Sequence, residues 1–288
     1  MINAKLLERR KITEDLGIFR FETETSVSFI PGQYNTLSVK THRIAKPVVR
    51  PFSIASTPDN PKNIEYLIRW VRSGGRKVDG GGEMTTELFE LCDDELKDSQ
   101  FRMSDKGKGK FYLDDGDDRE VFLVCTGTGL APFMGQLRAD IQRGRDLARY
   151  TLVHGVANCE DLAYSDELTR FANEKGLRYL HAESRQGCGG ESEVNYVGQW
   201  FFNREKGRAG RIKLDEINAA IEEGRLNDSA IERSIGRNLT HDRDAMLLCG
   251  NPDMIDNMTR LMEAREFIEG KDVFSERYWA AKKETYKT

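Results

Sequence analysis

The feature that most constrains the fold of this chain is a continuous apolar run that leads directly into a glycine-rich turn. Residues 121–125 read Val-Phe-Leu-Val-Cys, and residues 126–129 contain two glycines. An uninterrupted apolar run is typical of a parallel strand that is buried on both faces. The segment after the turn places Phe133, Leu137 and Ile141 on one helical stripe. A strand that passes through glycines into an amphipathic helix predicts the first element of an α/β sheet.

The chain beyond residue 119 repeats this alternation. Further strand-like segments lie at 150–154, 177–180 and 245–249. Helix-like segments lie between and after them, at 166–174, at 214–223 and from 251. Strands that alternate with helices predict a doubly wound parallel α/β sheet.

The first 115 residues carry a different pattern. Short runs rich in β-branched and aromatic residues at 18–22, 34–39 and 64–68 are separated by Pro- and Gly-containing turns. This spacing predicts a small antiparallel β-barrel, with one helix from Thr85 to about Leu96. We therefore predict two domains, residues 1–116 and residues 117–288, the second with an insertion at about 186–210 that includes an aromatic cluster.

Composition excludes several classes of protein. A length of 288 residues suits two domains, and a net charge of −4 does not favour binding to nucleic acid. No apolar run reaches the ~20 residues that a membrane helix needs, and the N-terminus lacks the apolar core of a signal peptide, so we expect a cytoplasmic protein. The five cysteines are scattered, which predicts neither a metal cluster nor a disulfide framework.

The glycine-rich turn is a candidate anion site. Gly127 and Gly129 allow the backbone to turn tightly, and Pro132 suits the first helical turn. The N–H groups at the start of a helix and its positive end favour a pyrophosphate. An ordinary strand–helix turn remains an equal alternative on these residues alone.

Two further segments in the first domain have polar groups suited to a cofactor. Arg50 can pair with a phosphate, Phe52 can stack on a flat ring, and Ser53 can hydrogen-bond a ring nitrogen. Gly82 and Thr85, at the start of the predicted helix, can hold a diphosphate. The alternatives are an ordinary strand and a helix cap.

Two segments near the end of the chain complete the set. Cys249 and Gly250 end a strand, and the Asn-Pro that follows is suited to starting a helix. A buried cysteine is otherwise common as a small apolar residue. Residues 276–279 end in an aromatic pair, Tyr278 and Trp279, which can pack in a core or cover a ring.

Taken in order, these five segments resemble motifs of the ferredoxin–NADP(+) reductase family, bacterial type. Residues 50–53 resemble its R-x-Y-S motif, 82–85 its G-x-x-S/T motif, and 127–133 its G-T-G-x-A-P-F/Y motif. Residues 249–252 resemble its C-G-x-P motif, and 276–279 its aromatic end. The resemblance spans roughly residues 3–280.

The resemblance implies a flavoprotein oxidoreductase in which the barrel binds FAD and the second domain binds NADPH. Hydride passes from NADPH to the flavin, which releases single electrons to ferredoxin or flavodoxin. The implied catalytic residues are Ser53, Cys249 and Trp279: the first two position the nicotinamide, and Trp279 sandwiches the flavin ring with Phe52. The implied cofactor contacts are Arg50, Pro51, Phe52, Ser53, Ile68, Arg69, Trp70, Gly82, Met84, Thr85, Thr126, Gly127, Thr128, Gly129, Ser184, Arg185, Arg211, Cys249, Gly250 and Trp279.

The choice of NADPH over NADH rests on Ser184, Arg185 and Arg211, where the resemblance places the groups that contact the 2′-phosphate. The adjacent Glu183 counts against this interpretation, and solvated loop charges are the alternative. Phe52 departs from the family's usual Tyr, which preserves stacking and removes a hydroxyl.

Other functions remain open at this point. The chain can be a reductase component that supplies an oxygenase or a cytochrome, or a non-catalytic flavin- or nucleotide-binding subunit of a redox complex. For an acidic carrier, the candidate docking residues are Lys106, Lys108, Lys110, Arg9, Arg10 and Lys11. The insertion at about 186–210 can form a lid, an oligomer contact or a surface for a partner, and its aromatic cluster at residues 200–202 suits a binding surface.

Overall fold

The structure, a computed structural model, describes residues 1–71, 81–186, 196–203 and 212–277. Arg211, Trp279 and most of the predicted insertion therefore lie outside the described residues. The chain divides into two compact units: Met1–Leu113 with Ala131–Arg145, and Asp114–Leu130 with Asp146–Thr288. The boundary predicted after residue 116 stays a prediction, since Ala131–Arg145 groups with the first unit.

The first unit contains a six-stranded antiparallel sheet, as predicted. Its strands are β1 (Ile2–Lys11), β2 (Leu16–Thr23), β3 (Tyr34–Lys40), β4 (Val48–Ser53), β5 (Asn63–Arg69) and β6 (Gln100–Met103), in the order β4-β3-β6-β1-β2-β5. Just beyond β4, the N–H of Ala55 donates to the carbonyl of Glu65 in β5 at 2.9 Å. This bond joins the two ends of the strand order, so the sheet curls back on itself.

Aromatic residues fill the core of this unit. Phe21 lies 5.9 Å from Tyr66 and 5.1 Å from Phe101 between ring centroids, and both Phe21 and Tyr66 are fully buried. The Tyr66 hydroxyl donates to the side-chain oxygen of Asn35, whose amide donates to the carbonyl of Ser104 at 3.2 Å. Burial raises the pKa of Tyr66, so the phenol stays protonated as a donor. The polar chain therefore fixes the strands without leaving a buried group unpaired.

The single helix predicted from residue 85 to about 96 is wrong in its continuity. Two helices occupy this region, α1 (Gly81–Glu90) and α2 (Asp93–Lys97). Cys92 between them has extended backbone angles, and its N–H donates to the carboxylate of Glu95 at 2.9 Å. This reciprocal cap starts a new helix, because it satisfies an amide that a continuous helix would have bonded internally.

The second unit contains a five-stranded parallel sheet, which confirms the predicted α/β fold. Its strands are β7 (Glu120–Thr126), β8 (Tyr150–Asn158), β9 (Arg178–Gln186), β10 (Asp244–Gly250) and β11 (Val273–Arg277), in the order β11-β10-β7-β8-β9. Its helices are α4 (Ser165–Lys175), α5 (Leu214–Glu222), α6 (Ala230–Ile235) and α7 (Pro252–Glu263), whereas α3 (Ala131–Gln142), which follows β7 in the chain, groups with the first unit. No helix in the described ranges has the length and apolar character needed to span a membrane.

The strand order reverses direction between β7 and β10. From β7 the chain proceeds outward through β8 and β9, and it then returns to place β10 on the other side of β7. Such a switch point leaves a crevice beyond the carboxyl ends of the two strands, where open α/β sheets bind their ligands. The predicted glycine-rich turn follows β7, so the fold places it at this crevice.

β10 is the most deeply buried strand of the sheet. Every residue from Asp244 to Gly250 is buried. The Asp244 carboxylate at its start accepts two bonds from the guanidinium of Arg237, at 2.6 and 2.9 Å, and one from the N–H of Thr240 at 2.8 Å. These partners compensate the buried charge.

Two other predictions for this unit need correction. Phe201 and Phe202 are fully buried and belong to the core, and Trp200 packs against it, so this aromatic cluster is not an exposed binding surface. The scattered cysteines predicted no disulfide framework, but Cys159 is disulfide-bonded.

Candidate functional site

The turn after β7 has a backbone conformation that favours glycine. Gly127 has a φ of +52°, in the left-handed region that favours glycine. It begins a short 3-10 helix, Gly127–Leu130, which leads into α3. A Cβ built on Gly127 would meet no atom of the described residues within 4 Å. The turn is therefore open on the side where a ligand would approach.

The carboxyl ends of β7 and β10 interlock behind this turn. A Cβ on Gly129 would lie 2.3 Å from the carbonyl oxygen of Cys249, and one on Gly250 would lie 2.4 Å from the hydroxyl of Thr126. The same Thr126 hydroxyl accepts the N–H of Asn251 at 2.8 Å. These glycines are thus required by close backbone approach, and Thr126 holds the two strand ends together.

The two cysteines at this edge of the sheet are neighbours. Cys249 on β10 is in register with Cys125 on β7, and both are fully buried. Burial, reinforced by the Cys249 thiol, raises the pKa of Cys125 well above its ordinary value. Beyond Cys249, the side chain of Asn251 accepts the N–H of Asp253 at 2.8 Å and so caps α7. The structure therefore confirms that a helix begins at Asn251-Pro252, two residues after Cys249.

Sequence reasoning missed a residue beneath the turn, His154. It lies in β8 in register with Cys125, and its ring is fully buried. The ring nitrogen Nε2 lies 3.2 Å from the carbonyl oxygen of Gly127. Burial lowers the pKa of His154 to about 4, although the bond to Gly127 opposes this shift. The sequence alone gives no signal for this contact, because it depends on the register between β7 and β8.

The residues predicted to read the 2′-phosphate lie within β9 rather than after it. Val156 of β8 is in register with Glu183, and Asn158 is in register with Gln186. One residue of β8 therefore faces two of β9, Ser184 and Arg185, which form a β-bulge. Bulges redirect side chains and are frequent beside functional sites.

The acidic residue that argued against NADPH has a partner. Glu183 is buried, and its carboxylate lies 2.5 Å from Nδ1 of His181 on the same strand. Arg185 in the bulge is exposed, and Ser184 is partly exposed. The other predicted contact, Arg211, lies outside the described residues.

In the first unit, residues 50–53 form the second half of the edge strand β4. Arg50 and Phe52 leave one face of the strand, and Pro51 and Ser53 leave the other, because side chains alternate along a strand. Proline is tolerated on an edge strand, which lacks one neighbour. The half-buried Phe52 ring lies 5.6 Å from that of Tyr66 between centroids, and Ser53 is buried. A flat ring that contacts Phe52 and Ser53 must therefore approach along the edge of β4.

The start of α1 is fastened to the end of β5. The Thr85 hydroxyl accepts the N–H of Val71 at 3.1 Å and donates to the carbonyl of Gly82 at 3.2 Å. Ile68 and Met84 are buried in the core. The hydroxyl of Thr85 thus serves the packing of the helix, and any anion at this helix start would have to be bound by backbone N–H groups.

The two predicted residues that follow Ile68 make protein contacts. Arg69 donates to Asp15 at 2.9 Å, and the Trp70 ring nitrogen donates to the hydroxyl of Thr86 at 3.1 Å. The Trp70 ring stacks on Phe89 of α1, with centroids 6.0 Å apart and planes inclined by 10°. Both residues therefore set the position of the end of β5 beside α1.

Comparison with known proteins assigns both parts of the chain. Residues 3–98 match the family model of the oxidoreductase FAD-binding domain, and residues 123–210 match that of the oxidoreductase NAD-binding domain. The flavodoxin/ferredoxin–NADP reductase of Buchnera aphidicola subsp. Baizongia pistaciae is 22% identical over 289 residues, which cover 96% of this chain and 98% of the relative. The electron transfer component of 2-halobenzoate 1,2-dioxygenase from Burkholderia cepacia is 30% identical over 165 residues, 55% of this chain and 42% of that protein.

A solved structure has the same fold over nearly its whole length. The crystal structure of a ferredoxin NADP+ reductase from Neisseria gonorrhoeae with bound FAD and NADP superposes with a TM-score of 0.71 at 19% identity. The match covers 96% of this chain and 98% of that one.

Proposed function

Because this chain is an FAD- and NAD-binding oxidoreductase homologous to the flavodoxin/ferredoxin–NADP reductases, we propose that it transfers electrons between NADPH and ferredoxin or flavodoxin. The observation that carries the proposal is the interlocked glycine turn at the switch point between β7 and β10. FAD, when bound, supplies the chemistry that converts a two-electron donor into single electrons. The chain supplies binding, orientation and charge.

The second unit holds the nucleotide in this proposal. The turn that begins at Gly127 binds the pyrophosphate through backbone N–H groups, because the turn is open on one side and leads into a helix. Gly129 and Gly250 keep the two strand ends close enough to form the crevice. Cys249, at the end of β10, positions the nicotinamide.

The bulge in β9 supports NADPH rather than NADH as the donor. Arg185 is an exposed cation at a position where the strand is irregular, and a guanidinium suits a phosphate. Glu183, two residues before it, is buried against His181. The carboxylate is thus not presented to a ribose hydroxyl, as NAD-specific sites require.

The edge of β4 supports FAD binding in the first unit. Arg50 provides a cation for the diphosphate, Phe52 provides a half-buried ring, and Ser53 lies one residue further on. An edge strand also has backbone N–H and C=O groups that no neighbouring strand occupies. Trp279, which would cover the flavin with Phe52, lies outside the described residues.

The basic segment at residues 106–110 is the docking site that we propose for an acidic carrier. Lys106, Lys108 and Lys110 are all exposed. Lys108 exchanges two backbone hydrogen bonds with Tyr34, at 2.7 and 3.0 Å, and Tyr34 is in register with Ser53. Since adjacent strands lie ~4.8 Å apart, the segment runs roughly 10 Å from the flavin motif.

The alternative basic group, residues 9–11, has a structural role. Arg9 donates to the carbonyl of Leu91 at 2.7 Å and to Asp93 at 2.6 Å, and Lys11 donates to Phe89 at 3.2 Å. The side chain of Arg9 is only 8% exposed. These charges hold α1 and α2 against β1, which favours the lysine segment as the docking site.

A second candidate function is that of a reductase component for an oxygenase. It is supported by the 30% identity to the dioxygenase electron transfer component. The two functions differ only in the acceptor, so the reduction rates of ferredoxin, flavodoxin and an oxygenase component by NADPH distinguish them. A cytoplasmic location stays a prediction.

The test of the proposed function is a visible spectrum of the purified protein, followed by anaerobic addition of NADPH or NADH. We expect a flavin spectrum that NADPH bleaches faster than NADH does. Protein that stays colourless after incubation with FAD would instead support a non-catalytic subunit.

The Arg185→Ala variant tests the nucleotide preference. Loss of a charged hydrogen bond costs about 1.5–3 kcal/mol, so KM for NADPH should rise roughly ten- to hundredfold while KM for NADH changes little. Arg170→Ala, which removes an exposed arginine from α4, is the matched control. Equal effects of Arg185→Ala on both nucleotides would refute the assignment to the 2′-phosphate.

A further inference from the structure

Among the residues that the structure describes, the side chain of His154 has one hydrogen-bond partner, Gly127 in the turn after β7. Its ring is fully buried, and Nε2 lies 3.2 Å from the carbonyl oxygen of Gly127. A carbonyl can only accept, so Nε2 carries the proton and donates. Within the described part of the chain, the other ring nitrogen, Nδ1, has no hydrogen-bond partner. A buried ring nitrogen without a partner is costly, so the presence of a histidine at this position needs a reason.

The geometry of the peptide bond supplies that reason. A trans peptide is planar, and its C=O and N–H point in opposite directions. His154 holds the C=O of the peptide that joins Gly127 to Thr128. The N–H of Thr128 is therefore directed away from the buried ring. The positive φ of Gly127 shows that this peptide is held in an orientation that most residues avoid.

We propose that His154 is a positioning residue for the dinucleotide: by holding the Gly127 carbonyl it orients the first peptide of the turn with its N–H toward the pyrophosphate. This rests on the proposed function, because it assumes that the turn binds a pyrophosphate. It goes beyond that function by assigning the shape of the turn to a residue on a neighbouring strand. Burial keeps the ring neutral, so it acts as a hydrogen-bond donor and not as a charge.

The role differs from that of Arg185 in a measurable way. The pyrophosphate is common to NADP+ and NAD+, whereas only NADP+ has a 2′-phosphate. A defect at His154 should therefore weaken both dinucleotides by the same factor. It should leave adenosine 2′-monophosphate, which has no pyrophosphate, unaffected.

A pair of amide substitutions tests the position of the donor. The amide nitrogen of glutamine reaches about as far as Nε2 of histidine, and that of asparagine reaches about as far as Nδ1. His154→Gln should keep the bond to Gly127, and His154→Asn should lose it while placing the same polar group in the same cavity. Both are purified with FAD, and their flavin spectra and unfolding temperatures are recorded before binding is measured.

Equilibrium titration then gives Kd for NADP+, NAD+ and adenosine 2′-monophosphate. Since a neutral hydrogen bond contributes about 0.5–1.5 kcal/mol, we expect His154→Asn to weaken both dinucleotides roughly three- to tenfold. His154→Gln should bind within about twofold of the original protein. An Asn variant that binds both dinucleotides normally, or one that loses adenosine 2′-monophosphate equally, would overturn the proposal. If the unsubstituted protein bound neither dinucleotide, the proposed function itself would fail.

Discussion

Replacing Gly129 with alanine adds one methyl group at the point where β7 and β10 meet. That methyl carbon would lie 2.3 Å from the carbonyl oxygen and 2.7 Å from the carbonyl carbon of Cys249. Ordinary contacts between such atoms are longer than 3.0 Å, so one of the two backbones must move by most of an ångström. The obstacle is backbone, which no side-chain rotation can relieve.

The cost follows from how firmly β10 is held. It is buried at every residue and pairs with β7 on one side and β11 on the other. Overpacking in such surroundings costs about 1–3 kcal/mol. For a protein of this size, that corresponds to a decrease in Tm of about 2–10 °C. The displaced turn should also bind NADP+ more weakly.

The measurement is thermal unfolding together with titration by NADP+, and Gly116→Ala is the matched control. Gly116 lies on the same unit, has no left-handed φ, and a Cβ there would meet none of the described atoms within 4 Å. Its substitution should change stability by less than about 0.5 kcal/mol. If Gly129→Ala were as stable as Gly116→Ala and bound NADP+ equally well, the interlocked arrangement of the two strand ends would be refuted.

Two further predictions concern charge. Replacing Lys106, Lys108 and Lys110 together by glutamine should slow electron transfer to an acidic carrier and make its rate less dependent on ionic strength. The reduction of ferricyanide by NADPH, which needs no docking segment, should be unchanged. An unaltered salt dependence of the rate with the carrier would count against the docking segment. His154 should also destabilise the fold in acid. Its pKa falls from 6.5 to about 4 on folding, so the unfolded chain takes up a proton at a higher pH than the folded chain does. Between pH 7 and pH 5 the free energy of unfolding should therefore drop by about 2 kcal/mol more than it does in His154→Gln. Denaturant titrations at both pH values check this, and equal slopes for the two proteins would show that the ring is not buried as described.

The elements that the sequence predicts well are those that are buried on both faces. The runs 121–125 of β7 and 245–249 of β10 are apolar throughout, and the structure confirms both strands. It also confirms β8, although Thr151 and His154 interrupt that run. β1 was not recognised because most of its side chains are exposed and it ends in Glu-Arg-Arg-Lys. β11 has only five residues and depends on pairing with β10 for its existence. Such strands are specified by tertiary contacts, which local propensity does not report.

The residues of the candidate site also divide into those that the sequence predicts and those that it does not. Gly127 and Gly129 could be predicted, because tight turns and close backbone approach require glycine whatever surrounds them. His154 could not, since its contact with Gly127 depends on the register between two strands. The bulge at Ser184 and Arg185 is likewise a property of strand pairing. The sequence pattern located both residues but placed them after the strand instead of within it.

The apolar character of β10 also affects the risk of aggregation while the chain is being synthesised. Residues 245–249, Ala-Met-Leu-Leu-Cys, are the kind of short apolar segment that aggregates when it is exposed. Asp242, Arg243 and Asp244 precede it directly and Pro252 follows it soon after, which are the charges and the proline that suppress intermolecular β-pairing. Its partner β7 is made more than a hundred residues earlier, so the strand that covers this segment already exists when it leaves the ribosome. The strand that shapes the crevice is therefore also a segment that must be kept from aggregating in the nascent chain, and its flanking residues are of the kind that serves this purpose.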